Sequence, residues 1–522
     1  MNMYFVDMHL QQGDFMELDK HICTQLVEKS KAFTQITLDD DYIIRDNKPD
    51  VVRVIYTKGD VVLEDMKEGN QVIWLTGKLH FSSLYQSDDE DHRLESVMGD
   101  IPFQEKLVMD EIEDIDKLTV SITVEDLSVG IINSRKLVIR AVLNIAARSM
   151  EEENICLCGR IREDGFQQKT KEVPVLCLVE DKHDVVHMQK EMLLPNSRTN
   201  IGELVFYQVD FRNEEIELEG SRIALQMDAV VWVLYRSEST GEYECYETSV
   251  PVSGELDCDH IQGDEIFWAT LKPLEIELEP RGDYDGESRM LGLELAMSAD
   301  IQIYREENCE ILQDAYALDT ELYMEREEVP FYQLLVKNVS KIRLMEQDRI
   351  EPNQERILQI CGSSGKIIID RIQKRENGIQ VEGVLNVHIL YNTTEDTLPF
   401  SYTISQIPFE QFIEVNEMSD RVNYWVDAKL EQLQVNLLDN MEYEIKAVLE
   451  VGLFVMQKDS VSNVLAIEEE ALDVETLQKQ PGMIGCVRKD GEDLWDIAKK
   501  YHATEDNIIE MENKVLVVKQ VY

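Results

Sequence analysis

The sequence has few basic residues for its length. Only 51 Lys and Arg residues stand against 104 Asp and Glu residues, so the formal net charge is −53 over 522 residues. Nucleic acids and anionic membrane surfaces are bound mainly through clustered Lys and Arg. We therefore expect no nucleic acid partner and no binding to such a membrane. The acidity is typical of a well-solvated surface, and electrostatic docking onto a basic partner is the alternative.

The sequence also lacks paired cysteines and long apolar segments. Its nine cysteines are dispersed without a CxxC motif, which is typical of a reducing compartment and predicts no disulfide framework. No run of about eighteen apolar residues is present, so we expect no membrane insertion. The N-terminus has no basic segment ahead of an apolar run, so we expect no signal peptide. The protein is predicted to be cytoplasmic.

Motifs of catalysis and metal binding are absent as well. There is no GxSxG, no HExxH and no recurring arrangement of His with a carboxylate. The stretch Cys361–Lys366, CGSSGK, is too short between its glycines for a phosphate-binding loop, and we interpret it as a hairpin turn. Asp283 and Asp285 precede Gly286 without the remaining oxygen ligands of a calcium loop, which also favours a turn. We predict no enzyme, no catalytic residue, no metal site and no cofactor.

What the sequence does contain is one strand pattern that occurs three times. Apolar residues alternate with polar ones through Ile379–Tyr391, and the same alternation fills Val72–Tyr85 and Arg222–Tyr235. A period of two is typical of a half-buried β-strand and not of a helix. Matching residues of the first and third copies are all 306 residues apart: Gly77 and Gly383, Tyr85 and Tyr391, Pro102 and Pro408.

Each copy lies inside a longer repeat. A strand and a turn containing Pro49, Pro195 or Pro352 open the repeat, and a short hairpin follows, which we place at Lys58–Asp60 in the first copy and Ser363–Lys366 in the third. Many short strands between turn signals predict a mainly β fold of sandwich or hairpin topology. The predicted boundaries are 1–30 for an N-terminal segment (a short helix or a pair of edge strands), 31–175, 176–328 and 329–470 for the repeats, 471–482 for a linker and 483–522 for a final domain.

The final domain has a different pattern. Cys486–Arg488 is predicted to form a strand, and Leu494, Ile497, Ala498 and Tyr501 recur at the period of a buried helical stripe. Thr504 is placed to cap a second helix, whose apolar side would be Ile508, Ile509 and Met511. Val515–Val518 is predicted to form the closing strand. The expected order is therefore βααβ.

This order, with Gly491–Leu494 at the position of a Gly-Asp-Thr-Leu motif, resembles the LysM domain. Trp495, Ile497, Tyr501, Thr504, Ile509 and Asn513 also match. Asp493 stands where most LysM domains have Thr, and the loop after Asn513 is shorter than usual. The resemblance implies a partner-binding or glycan-binding face made of these residues: Gly491, Asp493, Leu494, Trp495, Ile497 and Asn513.

Three β repeats ahead of a LysM domain resemble the SipL-like spore-coat morphogenetic proteins, whose repeats are SPOCS domains. That resemblance implies a non-enzymatic structural adaptor, located in the mother-cell cytoplasm and recruited to the forespore surface. Its LysM domain would dock a spore-coat morphogenetic ATPase, and its β repeats would contribute to localisation and contact other coat proteins. The alternative is a protein that binds peptidoglycan, a polymer containing N-acetylglucosamine, through the LysM domain.

Overall fold

The computed structural model describes residues 16–69, 71–88, 93–109, 118–259, 261–352, 354–395, 397–472, 481–489, 491–511 and 514–518. Within these ranges the chain is almost entirely β, with 21 strands in seven three-stranded antiparallel sheets and a single α-helix. This confirms the predicted mainly β class. No helix in the described part of the chain is long and apolar enough to cross a membrane.

The first six strands form unit 1, which contains two sheets. Their bounds are β1 (Leu18–Ile43), β2 (Val51–Gly69), β3 (Val72–Ser87), β4 (Leu94–Val108), β5 (Leu118–Asn133) and β6 (Lys136–Ile161). One sheet has the order β2-β3-β4 and the other has the order β1-β6-β5. The strand β2 lies beside β5, and β1 lies beside β4. The sheets therefore close around a common apolar core, which holds fully buried residues such as Leu75, Tyr85 and Leu143.

The same topology occurs twice more. Unit 2 consists of β7 (Phe166–Leu193), β8 (Ile201–Glu219), β9 (Arg222–Ser237), β10 (Tyr243–Asp257), β11 (Ile266–Gly282) and β12 (Ser288–Ala317). Unit 3 consists of β13 (Thr320–Arg349), β14 (Ile357–Arg375), β15 (Gly378–Thr393), β16 (Phe400–Glu414), β17 (Val422–Leu437) and β18 (Glu442–Ala471). The repeated strands of the sequence are β3, β9 and β15, the central strands of their sheets.

The first and last strands of each unit are much longer than the others. Strands β7 and β13 have 28 and 30 residues, whereas β8 and β14 have 19 each. The predicted divisions after residues 30, 175 and 328 consequently fall inside β1, β7 and β13. For the N-terminal segment, neither a short helix nor a pair of edge strands is found from Leu18 onward, because these residues belong to the single edge strand β1. These extensions pack against one another between units, for example Leu157, Ile311 and Val329.

Two predicted hairpin turns are wrong. Lys58–Asp60 lies inside β2 and Ser363–Lys366 lies inside β14, and both strands stay paired through these residues. The polar and glycine-rich composition there serves contacts between units instead of a turn. The Lys58 ammonium, for example, donates a hydrogen bond of 2.7 Å to the carbonyl of Tyr207 in unit 2. The turn predicted around Gly286 is confirmed, with φ of +80° between β11 and β12.

Equivalent residues of the three units meet in one shared core. Leu84, Leu234 and Leu390 occupy the same position in β3, β9 and β15, and all three are buried in a single cluster. A second equivalent set, formed by Ile55, Val205 and Cys361, lies in that cluster as well. Contact among three equivalent positions requires the units to surround a common axis. The three units therefore form one body with approximate threefold symmetry.

The repeat signature also contains a pair of residues that changes together. The glycine of the central strand faces a phenylalanine in units 1 and 3, where a Cβ on the glycine would overlap the ring. Unit 2 has the larger Met227 in place of the glycine and the smaller Val252 in place of the phenylalanine, so the space between the two strands is still filled. The cross-strand pairs are Gly77–Phe103, Gly383–Phe409 and Met227–Val252.

The final domain contains β19 (Met483–Cys486), α1 (Leu494–Lys500), a 3-10 turn (Glu505–Asn507), β20 (Ile508–Met511) and β21 (Lys514–Val518). The predicted second helix is wrong. The β-branched Ile508 and Ile509 pair with Val517 and Leu516 in a sheet of order β19-β21-β20, a setting that suits branched side chains better than a helix does. The predicted βααβ order is thus replaced by a three-stranded sheet with one α-helix.

Candidate functional site

The start of α1 is fixed by a local capping arrangement. The Asp493 carboxylate accepts a hydrogen bond of 2.8 Å from the Asp496 backbone N–H, and the Asp496 carboxylate accepts one of 3.0 Å from the Asp493 backbone N–H. Two backbone donors that a helix end leaves unpaired are satisfied in this way. Gly491, with φ of +86°, makes the turn before the helix. Asp493, which departs from the threonine expected from the LysM resemblance, is therefore an effective helix cap.

One face of α1 lies directly on unit 2. The Trp495 indole nitrogen donates a hydrogen bond of 2.8 Å to the carboxylate of Asp314 in β12, and the Lys499 ammonium donates one of 2.6 Å to the same carboxylate. The rings of Trp495 and Tyr316 meet edge to face with centroids 4.9 Å apart. The Tyr316 hydroxyl donates to the Ala503 carbonyl at 2.9 Å. The final domain therefore packs on the end of β12, and we call this contact, formed by Asp314 and Tyr316 with Trp495, Lys499 and Ala503, the seat of the final domain.

Buried aromatic contact dominates this seat. Trp495 is 7% exposed and Tyr316 is 3% exposed, so both rings are removed from water. Lys169 of β7 forms an ion pair of 2.9 Å with Asp493 at the rim, and its hydrogen bond lowers the pKa of that carboxyl. Both side chains of this pair are nearly half exposed, and such pairs contribute little to stability. The buried aromatic pair is therefore expected to contribute more to this contact than the exposed ion pair does.

The predicted site residues lie in different environments. Asp493 and Trp495 both contact unit 2, and the Leu494 side chain is half-buried. Ile497 is 1% exposed and packs in the core of the final domain with Val515 and Val517. Gly491 is exposed, and Asn513 lies outside the described residues. The face predicted to bind a partner is thus partly interior and partly covered by the chain itself.

A second surface of the final domain was missed by the sequence reasoning. Ile484, Cys486 and Ile508 point from the sheet toward the domain core. The alternate residues point outward, and Met483 and Ile509 are 65% and 49% exposed. Val487, just after β19, is also exposed. We call the exposed residues Met483, Val487 and Ile509 the outer sheet face. Successive apolar residues in a short strand, as at Ile508 and Ile509, place apolar side chains on both faces of the sheet, and this pattern could have revealed the outer sheet face.

The axis where the units meet is packed and does not form a substrate cavity. Tyr56, Trp232, His388 and Tyr402 line a space of about 20 Å³, which is room for about one water molecule. Burial, together with the charge of Lys366, lowers the pKa of His388 to about 4. His388 is therefore a neutral ring at neutral pH, and it stacks on Tyr402.

A cluster of ligand-forming side chains lies where units 1 and 2 meet. Cys23 of β1 and Cys177 of β7 form a disulfide, which contradicts the prediction of a chain without disulfides. The two cysteines are 154 residues apart, so no local spacing could reveal the pair. Beside them the His21 imidazole contacts the Glu307 carboxylate of β12 at 2.7 Å. The sequence predicted no metal site, and none of these side chains was singled out.

In units 1 and 2, the tyrosine that ends the repeated strand is hydrogen-bonded to the opening turn of its unit. The Tyr85 hydroxyl donates to the Pro49 carbonyl at 3.1 Å, and the Tyr235 hydroxyl donates to the equivalent Thr199 carbonyl at 3.4 Å. Both tyrosines are fully buried. Residues 50–132 and 356–438 match the family model described as SipL, SPOCS domain. The resemblance to a SPOCS domain is therefore confirmed in units 1 and 3.

The two SipL matches agree with the fold. They begin 306 residues apart, which is the repeat distance found between Tyr85 and Tyr391. Each covers the sheet that holds the repeated strand and reaches into the edge strand of the second sheet, β5 or β17. Together they cover less than half of the chain. Comparison with curated proteins and comparison with solved structures gave no match.

Proposed function

We propose that this protein is a non-enzymatic structural adaptor in spore coat assembly. The observation that carries the proposal is the pair of SipL, SPOCS domain matches, which fall on equivalent parts of two units in a body built from three. The units share buried cores, and such a body suits a rigid scaffold better than a set of independent modules. Its acidic exterior is available for contacts with other coat proteins and for localisation at the forespore surface.

The final domain is the part of this scaffold that we propose to dock a coat morphogenetic ATPase. It packs on unit 2 through Trp495, and its outer sheet face exposes three apolar side chains, those of Met483, Val487 and Ile509. Exposed apolar residues grouped on one face are typical of a protein-binding surface. The helix face around Trp495, predicted from the LysM resemblance, is covered by Asp314 and Tyr316. The outer sheet face therefore supports docking without any rearrangement of the chain.

Localisation tests the proposed role. A fluorescently tagged full-length chain is expected to concentrate at the forespore surface of sporulating cells. A diffuse signal, or a signal on the wall of vegetative cells, would contradict the proposal. The same strain without the final domain is expected to lose capture of ATP-hydrolysing protein in a pull-down from sporulating cells.

Point variants distinguish the two faces. Ile509→Lys on the outer sheet face is expected to abolish capture of the ATPase, whereas Trp495→Ala is expected to preserve it. Met345→Lys, at an exposed apolar residue of β13 in unit 3, serves as the matched control. Circular dichroism checks that each variant remains folded. Loss of capture in Trp495→Ala alone would place docking on the helix face, and loss in Met345→Lys would mean that the final domain is not the docking element.

A further inference from the structure

Four side chains with ligand chemistry converge where units 1 and 2 meet. The donor atoms of His21, Cys177 and Glu307 all lie within 4.8 Å of one another. Cys23 is not one of these three, but its sulfur is bonded to that of Cys177 and so lies next to the group. His21 and Cys23 are alternate residues of β1 and therefore project from the same face of that strand. The cluster thus joins β1 of unit 1 to β7 and β12 of unit 2.

The cluster has a buried side and an exposed side. Cys23 and Cys177 are 1% and 6% exposed and belong to an apolar core shared between the units. The side chains of His21 and Glu307 are 42% and 30% exposed, and they contact each other through the imidazole Nε2, which is itself buried. This nitrogen therefore faces the protein interior and not solvent. Four donors of this kind are the number and type that a tetrahedral zinc ion takes.

We propose that reduction of the Cys23–Cys177 disulfide converts this cluster into a zinc site. A dithiol supplies two electrons and two protons and becomes a disulfide, or a phosphine supplies two electrons, takes the oxygen of a water molecule and becomes a phosphine oxide while that water supplies two protons. In both cases the S–S bond is replaced by two thiols. Each thiol then releases its proton when its sulfur binds Zn²⁺, because the thiolate is the ligand. His21 and Glu307 complete the coordination. In the oxidised chain neither sulfur is a thiolate, so only a weak pair of donors remains.

This exchange keeps units 1 and 2 joined in both redox states. The disulfide joins β1 to β7 covalently, and the metal would join β1, β7 and β12 through coordination bonds. In a reducing compartment, where disulfides are opened by cellular thiols, the zinc form would be the one present. The proposal does not depend on the identity of any docking partner.

Metal titration of the full-length chain tests the proposal. The protein is reduced with a phosphine, which adds no competing thiol, and is titrated with Co²⁺ and then with Zn²⁺. The reduced chain is expected to bind one Co²⁺ with a thiolate-to-metal charge-transfer band, and Zn²⁺ is expected to abolish the band. The oxidised chain is expected to show no such band. Equal binding by both forms, or no stoichiometric binding by the reduced form, would overturn the proposal.

Variants assign the ligands. Cys177→Ser is expected to abolish the charge-transfer band, and Cys258→Ser, at another buried cysteine of unit 2, is expected to leave it unchanged. Because a buried substitution could impair folding, His21→Gln and Glu307→Gln provide surface variants. Each is expected to weaken Zn²⁺ binding by about 10-fold or more, since loss of even an outer-shell partner has effects of that size. Undiminished binding in Cys177→Ser, or in both surface variants, would refute the assignment.

Discussion

The indole ring of Trp232 in unit 2 lies against Gly362 in unit 3, where a Cβ on the glycine would overlap the ring. The indole nitrogen donates a hydrogen bond to the carbonyl of Cys361, the residue before it. The positions equivalent to Gly362 hold Tyr56 in unit 1 and Phe206 in unit 2. The shared core is therefore filled unequally around its axis, with a missing side chain in one unit matched to an indole from the next.

The first prediction concerns that match. Gly362→Ala is expected to destabilise the protein by about 1–3 kcal/mol, because the added methyl group overpacks a closed core. The measurement is the urea midpoint of the full-length chain. The same change made in a Trp232→Phe background is expected to cost less, since the smaller ring leaves space. Gly482→Ala, where a Cβ would meet nothing within 4 Å, is the control. Equal effects in both backgrounds would contradict the packing described.

The second prediction uses the pair that differs between units. Val252→Phe, which introduces the phenylalanine of units 1 and 3 opposite Met227, is expected to destabilise unit 2 by about 1–3 kcal/mol through overpacking. Met227→Gly alone is expected to cost about 2–5 kcal/mol because it leaves a cavity. The double variant restores the pairing of the other units and is expected to be at least about 1 kcal/mol more stable than additivity allows. If the change in urea midpoint of the double variant equals the sum of the changes in the two single variants, the predicted coupling between the two positions is contradicted.

The parts of the fold that depend on local pattern could be predicted. Alternation along β3, β9 and β15 predicted half-buried strands, and the constant distance of 306 residues between the first and third copies predicted repetition. That these strands are central in their sheets is known only from the structure. The extent of the long strands could not be predicted, because their outer halves are buried by other units. The CGSSGK stretch has the composition of a turn but forms part of β14, and this too depends on contacts with another unit. Its Gly362 leaves space for the ring of Trp232, which is remote in the chain.

The same distinction holds at the final domain. The helix at Leu494–Lys500 was predicted from its apolar stripe. Its Asp493 cap was not predicted, although it too depends only on neighbouring residues. The seat of Trp495 on Asp314 involves residues 181 positions apart, and no local pattern encodes such a contact. The predicted second helix was wrong because pairing with β21 decides the state of Ile508 and Ile509. At Ile508 and Ile509, strand pairing therefore outweighs the local sequence pattern that predicted a helix.

The third prediction concerns the seat of the final domain. Asp314→Asn removes the negative charge of the carboxylate that accepts hydrogen bonds from Trp495 and Lys499. Trp495→Ala removes the aromatic contact with Tyr316. Both variants are expected to raise hydrogen exchange in α1 and at the end of β12, with Trp495→Ala having the larger effect because it loses buried area. Lys169→Gln is expected to change stability by at most about 1 kcal/mol. Asp506→Asn, at an exposed acid of the same domain, is the control. Unchanged exchange in Trp495→Ala would contradict the seat.

The fourth prediction concerns pH and His183 of β7. Hydrogen bonds to Asp181 and Asp300 raise the pKa of His183 to about 10, whereas an unfolded histidine titrates near about 6.5. A folded pKa above the unfolded value means that the stabilisation is complete below about pH 6.5 and is lost as the pH rises through about 10. The side chain of His183 is 43% exposed, so solvent screening limits the effect to about 1 kcal/mol.

His183→Gln is therefore expected to have a lower urea midpoint than the wild type at about pH 6 and the same midpoint above about pH 10. His187→Gln on the same strand controls for the change of side chain. A deficit that stays constant across this range would show that His183 acts through packing and not through its charge.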